Sequence, residues 1–252
     1  MQSENLDKLK LDFISTVSHE LRTPLTSIRG FAQTLISSRD KLSEEQQLKF
    51  LNIIKDQSDR LINLVENLLA SSTQEASEKI VVLKPTKIVP IIENIISVLK
   101  QKFPQKEFNI DIPKSIPDIL VDNENFMQVL LNLLENACKY SFDESIIKID
   151  ANVIKEKIVK INIENDGQTI LDKDKEKIFE KFTRLDNPMT RKTQGSGIGL
   201  YLTKELVENM NGKIQVQSEN NNTIFSVLFP IATPENVIKQ KLAQERQRGV
   251  ND

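Results

Sequence analysis

Apolar residues recur at threes and fours along 9–37, at Ile14, Val17, Leu21, Leu25, Ile28, Ala32 and Leu35, the spacing of one helix face. A Ser/Arg/Asp/Lys turn over 37–41 follows. Ser43-Glu44-Glu45-Gln46 then reads as a capping box, with Gln46 able to reach back to the Ser43 N–H. The next run, Leu51, Ile54, Ser58, Leu61, Val65 and Leu68, keeps a near-strict heptad alternation. Two long helices and a short turn predict an antiparallel hairpin with one apolar seam. A hairpin cannot cover that seam alone, so the pattern predicts a second copy and a dimeric four-helix bundle.

Ser71-Ser72-Thr73-Gln74-Glu75-Ala76-Ser77-Glu78 is polar and aperiodic, and it marks a linker placed at 73–79. Beyond it the texture changes. Short β-rich runs at 80–83, 108–112, 119–121, 146–153, 158–164, 213–218 and 223–229 alternate with helical runs at 88–102, 124–140 and 199–210. Consecutive β runs at 146–164 and 213–229 predict hairpins, hence a mixed sheet. Thr233-Pro234-Glu235 opens a last polar helix with an N-cap, an N1 proline and an acid. The expected division is 1–72 helical hairpin, 73–79 linker, 80–231 α/β domain and 232–252 polar tail, an α+β chain overall.

Composition narrows the chemistry. The 252 residues are 38% hydrophobic, enough for a packed core in one or two domains, and the net charge of −2 gives no reason to expect a nucleic-acid partner. One cysteine forbids an internal disulfide or a cysteine metal cage and suits a reducing cytoplasm; one histidine excludes H-E-x-x-H and C₂H₂ zinc sites. The most apolar stretches, 88–99 and 129–134, are short and interrupted by Glu93 or Asn132, far below the ~20 residues of a spanning helix. A cytoplasmic fragment without membrane contact is expected. Because the first helix opens without an obvious cap, it could belong to a longer, membrane-anchored protein.

The single histidine lies in Ser18-His19-Glu20-Leu21-Arg22-Thr23-Pro24-Leu25. At ~100° per residue the apolar set fills a sector of about 80°, and His19 points roughly 160° from its centre. Thr23, four residues on, shares that polar face. Pro24 leaves the Glu20 carbonyl without its helical partner, so a bend is expected there. A packed or merely exposed histidine is the bland alternative. A solvent-facing imidazole beside a carboxylate that orients its ring is a competent nucleophile. The octet resembles the H-box of sensor histidine kinases of two-component systems. That resemblance implies His19 as phosphoacceptor, Glu20 as general base and Thr23 in dephosphorylating a response regulator.

Four further segments bear on a phosphoryl donor. Gln194-Gly195-Ser196-Gly197-Ile198-Gly199-Leu200 runs into a helix, where glycines let backbone N–H groups approach phosphate. A Rossmann site would need a strand before these glycines, and 183–193 is a polar loop; a purely structural turn remains open. Asn132 and Asn136 stand i and i+4 on an apolar helix and must find partners, either an oxygen-seeking Mg²⁺ with its triphosphate or ordinary interhelical bonds. Asn165-Asp166-Gly167 ends a strand, where a polar side chain can read a base edge or simply turn the chain. Ile178-Phe179-Glu180-Lys181-Phe182-Thr183-Arg184 offers two rings suited to core packing and an arginine able to meet phosphate.

In this order the four resemble the N, G1, F and G2 boxes of the GHKL ATPase superfamily. The resemblance implies a Bergerat-type α/β sandwich. In it Asn136 ligates Mg²⁺ with Asn132 supporting, Lys139 and Arg184 meet the phosphates of ATP, and Tyr140 lies against the nucleotide. Asn165 and Gly167 form the base pocket, while Gly195, Ser196, Gly197, Ile198, Gly199 and Leu200 form a lid. Three positions depart from the pattern. Asn165 stands for the usual aspartate, Thr169 for the second G1 glycine and Gln194 for the first G2 glycine. Asn165 can still accept from an adenine amine, as a weaker uncharged acceptor. The combined expectation is a histidine kinase core that labels His19 and hands the phosphoryl group to a response-regulator receiver domain. A GHKL ATPase without phosphohistidine and a degenerate dimeric scaffold are the alternatives.

Overall fold

The computed structural model describes residues 2–38, 41–73, 81–181, 183 and 197–238, and the chain divides into two compact units, Met1–Ser77 and Glu78–Asp252. In the first unit, α1 (Gln2–Ser37) and α2 (Glu44–Thr73) form a hairpin, and the Phe31 and Phe50 rings meet across it with centroids 5.2 Å apart. The capping box is formed in full. The Ser43 N–H donates to Gln46 Oε1 at 3.0 Å, and the Gln46 N–H donates to Ser43 Oγ at 3.2 Å. Pro24 lies within α1. Much of the predicted seam stays open to solvent in a single chain, with Leu25, Leu51 and Val65 exposed alongside Leu48 and Ile62.

The second unit is a two-layer α/β sandwich. Its strands are β1 (Lys84–Thr86), β2 (Glu107–Asp111), β3 (Ile119–Val121), β4 (Ile146–Ile154), β5 (Ile158–Asp166), β6 (Lys213–Glu219) and β7 (Asn222–Pro230). Its helices are α3 (Ile88–Lys102), α4 (Asn123–Tyr140) and α5 (Gly199–Asn209). β1 pairs with β3, and the main sheet has the order β2-β4-β5-β7-β6. β2 runs parallel to β4 and the other pairs are antiparallel, so the sheet is mixed. The β-run expected at 80–83 is not a strand among its described residues. The strand falls at Lys84–Thr86, where pairing with β3 outweighs the unfavourable proline at position 85.

Alternation decides which face of the sheet meets the helices. Ile147, Ile149, Val159, Ile161, Ile163, Phe225, Val227 and Phe229 are buried toward α3, α4 and α5. There the Phe126 and Phe229 rings meet edge to face at 5.5 Å. The opposite face is polar and cross-linked in register. Lys148 pairs with Glu164 at 2.9 Å, Asn162 donates to Asp150 at 2.7 Å, and Ser226 donates to Asn162 at 2.8 Å. After β7, Thr233 caps a helical turn over 234–238 by accepting from the Asn236 N–H at 3.2 Å.

Candidate active site

Helix α4 is the spine of the candidate site. Phe126, Leu130, Leu133, Leu134 and Ala137 bury one side, so the i, i+3, i+4, i+7 set Asn132, Glu135, Asn136 and Lys139 shares the other, half-buried side. Asp122 starts the helix by accepting from the Asn125 N–H at 3.1 Å. Asn132 Nδ2 donates to Thr203 Oγ1 on α5 at 2.5 Å, and the Thr203 hydroxyl donates to the Gly199 carbonyl at 2.9 Å. The Asn132 amide nitrogen thus has an interhelical partner. A Cβ on Gly199 would lie 2.8 Å from Asn132 Oδ1, so a side chain there would have to displace the Asn132 amide. Gly197 has φ of +68°, in the left-handed region that glycine enters at no steric cost. Ile198 is buried and Leu200 half-buried.

The end of β5 meets the end of α4. Strand alternation turns Asn165 toward the helix layer with Ile161 and Ile163, where it is 4% exposed, its Nδ2 donating to the Asp166 carbonyl at 3.4 Å. A Cβ on Gly167 would stand 2.4 Å from the Tyr140 carbonyl oxygen, so only glycine allows this approach. Tyr140 itself is 42% exposed. Thr169 has taken on a structural task in place of the usual glycine. Its hydroxyl accepts from the Asn221 N–H at 2.9 Å, while the Asn221 carbonyl accepts from the Gly167 N–H at 2.7 Å. Ser218 Oγ accepts from the Ile170 N–H at 2.8 Å, tying the same loop to β6.

Charge is concentrated on Glu135, which meets Lys102 at 2.8 Å and Lys139 at 2.7 Å. Burial pushes its pKa up, but hydrogen bonds and charge from the two lysines outweigh that and hold the carboxyl below its usual range. The buried Lys106 ammonium donates to the Ser141 carbonyl at 3.4 Å and to that of Phe142, satisfying backbone oxygens where the chain leaves α4. The Cys138 thiol, desolvated among these groups, is pushed up to about 11. No local sequence pattern marks Thr203, Lys102, Lys106 or Ser218. Only the i,i+4 spacing of Glu135 and Lys139 was a legible signal for this cluster.

Arg184, Gly195 and Ser196, like Gln194, lie outside the described residues, as does Phe182. Phe179 is half-buried and packs edge to face on the buried Phe225 at 6.3 Å, while its neighbour Ile178 enters the core. His19 and Glu20 lie in α1, with their side chains outside the described part. Thr23 is exposed and borders a surface depression with Arg22, Thr26 and Ser27. Among the described residues no three His, Cys, Asp or Glu side chains group as a metal cage.

Two family models match the chain, one to each unit. Residues 9–77 match the His Kinase A (phospho-acceptor) domain. Residues 121–233 match the histidine kinase-, DNA gyrase B- and HSP90-like ATPase. The chain belongs to the sensor histidine kinases. The sensor histidine kinase WalK of Bacillus subtilis is 31% identical over 236 residues, 91% of this chain and 38% of WalK. The histidine-protein kinase ArlS of Staphylococcus haemolyticus is 33% identical over 218 residues, 86% of this chain and 48% of ArlS. The chain therefore spans less than half the length of these curated relatives. Full-length ShkA, solved in complex with AMPPNP, superposes with a TM-score of 0.64 at 26% identity, over 87% of this chain and 45% of ShkA. Histidine kinase ThkA, solved with the response regulator protein TrrA, shares the fold with a TM-score of 0.69 at 24% identity, over 93% of this chain and 65% of that one. The phosphoacceptor-domain match includes His19, and the ATPase match includes every position of the four boxes.

Proposed function

We propose that this chain is a kinase core that moves the γ-phosphoryl group of ATP to His19 and then to an aspartate of a response-regulator receiver domain. The observation that carries this reading is the gathering of Asn132, Asn136, Lys139, Asn165, Gly167 and Gly199 around one helix. It occurs in a unit of the ATPase family, on a chain whose only histidine lies in the phosphoacceptor helix. The proposed division is 1–72 phosphoacceptor hairpin, 73–79 linker, 80–231 ATP-binding domain and 232–252 tail. The AMPPNP bound by the similar ShkA supports a nucleotide ligand.

In this reading the Asn165 carbonyl accepts from the adenine amine and Tyr140 lies against the base. Lys139 and Arg184 meet phosphate oxygens, and Gly195 to Leu200 close over them, the α5 N-terminus adding its partial positive charge. Asn136, with Asn132 Oδ1 beside it, offers neutral oxygen donors that suit Mg²⁺, a cation that retains water and takes further oxygens from phosphates. Bound there, Mg²⁺ would neutralise charge on the transferring group. The His19 Nε2 lone pair forms the N–P bond as the bond from the γ-phosphorus to the β–γ bridging oxygen breaks and ADP departs. Glu20 holds the Nδ1 proton, and Thr23 serves later removal of phosphate from the regulator. The open apolar face of the hairpin, with Leu25, Leu51 and Val65, supports a homodimer. Among the described residues no helix is long and apolar enough to cross a membrane.

Incubation with γ-³²P-ATP and Mg²⁺ tests the reading. Label that survives base, is lost in acid and is absent from His19→Gln is expected. Hydrolysis without label would instead mark an ATPase, and neither label nor hydrolysis a scaffold. Asn165→Asp, by restoring a charged acceptor, is expected to bind a fluorescent ATP analogue more tightly than the natural chain. A clear loss of affinity would overturn the role given to Asn165.

A further inference from the structure

Glu135 has two counter-ions, and only Lys139 belongs to the side chains assigned to the nucleotide. The lysines occupy different oxygens, Lys102 reaching Oε1 at 2.8 Å from the last turn of α3 and Lys139 reaching Oε2 at 2.7 Å. Exposure of the side chains falls from 55% at Lys102 to 32% at Lys139 and 21% at Glu135, so the carboxylate is the most withdrawn from water. The Lys102 ammonium also lies 5.9 Å from the centroid of the Phe103 ring, a second contact favouring this position.

A half-buried carboxylate with a single lysine partner cannot lose it without leaving an uncompensated charge. That charge would stand on the same face as Asn132, Asn136 and Lys139, where it would repel an incoming anion. With two partners the exchange changes character. One lysine can leave while the other stays on the carboxylate. We infer that Lys102 is a positioning residue for an anionic ligand: by holding the Glu135 charge it frees Lys139 to exchange that carboxylate for a polyphosphate. The inference rests on the nucleotide reading above and deepens it. Lys102 acts through Glu135, without touching the ligand, and Lys139 is the lysine that changes partner.

The test uses the whole chain and four forms of it: unaltered, Lys102→Met, Glu135→Gln and the double variant. Affinities for a fluorescent ATP analogue, and for ATP, tripolyphosphate and adenosine as competitors, are measured at one fixed ionic strength. Lys102→Met is expected to weaken the ATP analogue, ATP and tripolyphosphate by about three- to ten-fold, the range for one partly screened charge interaction. Adenosine, without phosphate, should compete unchanged. In the Glu135→Gln background the same lysine substitution should have no effect, because no carboxylate charge remains to be held. Lys102→Arg should bind as the unaltered chain does. The inference is overturned if Lys102→Met binds polyphosphate normally. It is equally overturned if the loss persists in Glu135→Gln, which would mean direct contact with the ligand, or if adenosine binding falls in parallel, which would mean general damage. Failure of the unaltered chain to bind either ATP or tripolyphosphate would overturn the nucleotide reading itself, and this inference with it.

Discussion

Replacing Gly167 with alanine adds one methyl group where the backbone leaves no space for it. The new Cβ would stand 2.4 Å from the Tyr140 carbonyl oxygen, 3.2 Å from its carbon and 3.1 Å from Asn165 Nδ2. Ordinary contact begins at 3.4 Å, so the carbonyl must retreat by about 1 Å, the difference between 3.4 and 2.4 Å. It has little freedom to do so. Gly167 bridges to Ser141, its N–H donates to Asn221 at 2.7 Å, and the Phe142 N–H donates to the Asp166 carbonyl at 3.2 Å. Overpacking of this kind costs about 2–3 kcal/mol. For a unit of this size that lowers the melting temperature by about 4–12 °C. Gly30→Ala is the matched control. Its Cβ would meet nothing within 4 Å, and in the interior of α1 alanine is favoured over glycine by about 0.5–1 kcal/mol. Calorimetry of both variants, with an ATP-analogue titration, reads the contrast. The Gly167 variant should lose stability and affinity, while the Gly30 variant should keep its affinity and lose no stability. A Gly167→Ala chain within about 0.5 kcal/mol of the natural one would overturn this steric account, since surface-like tolerance has that size.

Thr203→Val keeps the shape of the side chain but strands the Asn132 amide nitrogen. A stability loss of about 1–3 kcal/mol is expected by urea denaturation, whereas Thr203→Ser, which keeps the hydroxyl, should lose little. Cys138, whose thiol is pushed up to about 11, should resist iodoacetamide at pH 8 in the folded chain and react readily in urea, as mass spectrometry would show. Burial raises the Glu164 pKa, but Lys148 and Asn222 outweigh it and hold the group below its ordinary 4.5. Its stabilising contribution is therefore present above that value and lost as pH falls toward the folded-state pKa. Glu164→Gln should flatten that part of the stability–pH curve.

The 88–102 helix and the two hairpins were readable because their apolar period and turn residues lie within each segment. The Ser43–Gln46 box and the Thr233 cap were readable because capping is satisfied within three residues. The strand falls at Lys84–Thr86 and not at 80–83 because β1 is defined by its partner, with Lys84 opposite Val121 and Thr86 opposite Ile119. Asn132 could be recognised as an amide in need of a partner. That partner, Thr203, stands 71 positions away, beyond any local pattern. Thr169 read only as a lost glycine until the turn it holds was visible.

Composition and local order set the chemistry available: one imidazole, amides on an apolar helix, and glycines ahead of α5. Periodicity also determined which faces are apolar, because helix and strand geometry convert spacing directly into sidedness. Long-range packing selects which of those groups meet. It closed α5 on α4 through Asn132 and Thr203, set Gly167 against the Tyr140 carbonyl, and gave Glu135 a second lysine 33 positions away. Partners so far apart are brought together only by burying the helices on the sheet, a property of the whole α/β unit that no local segment encodes.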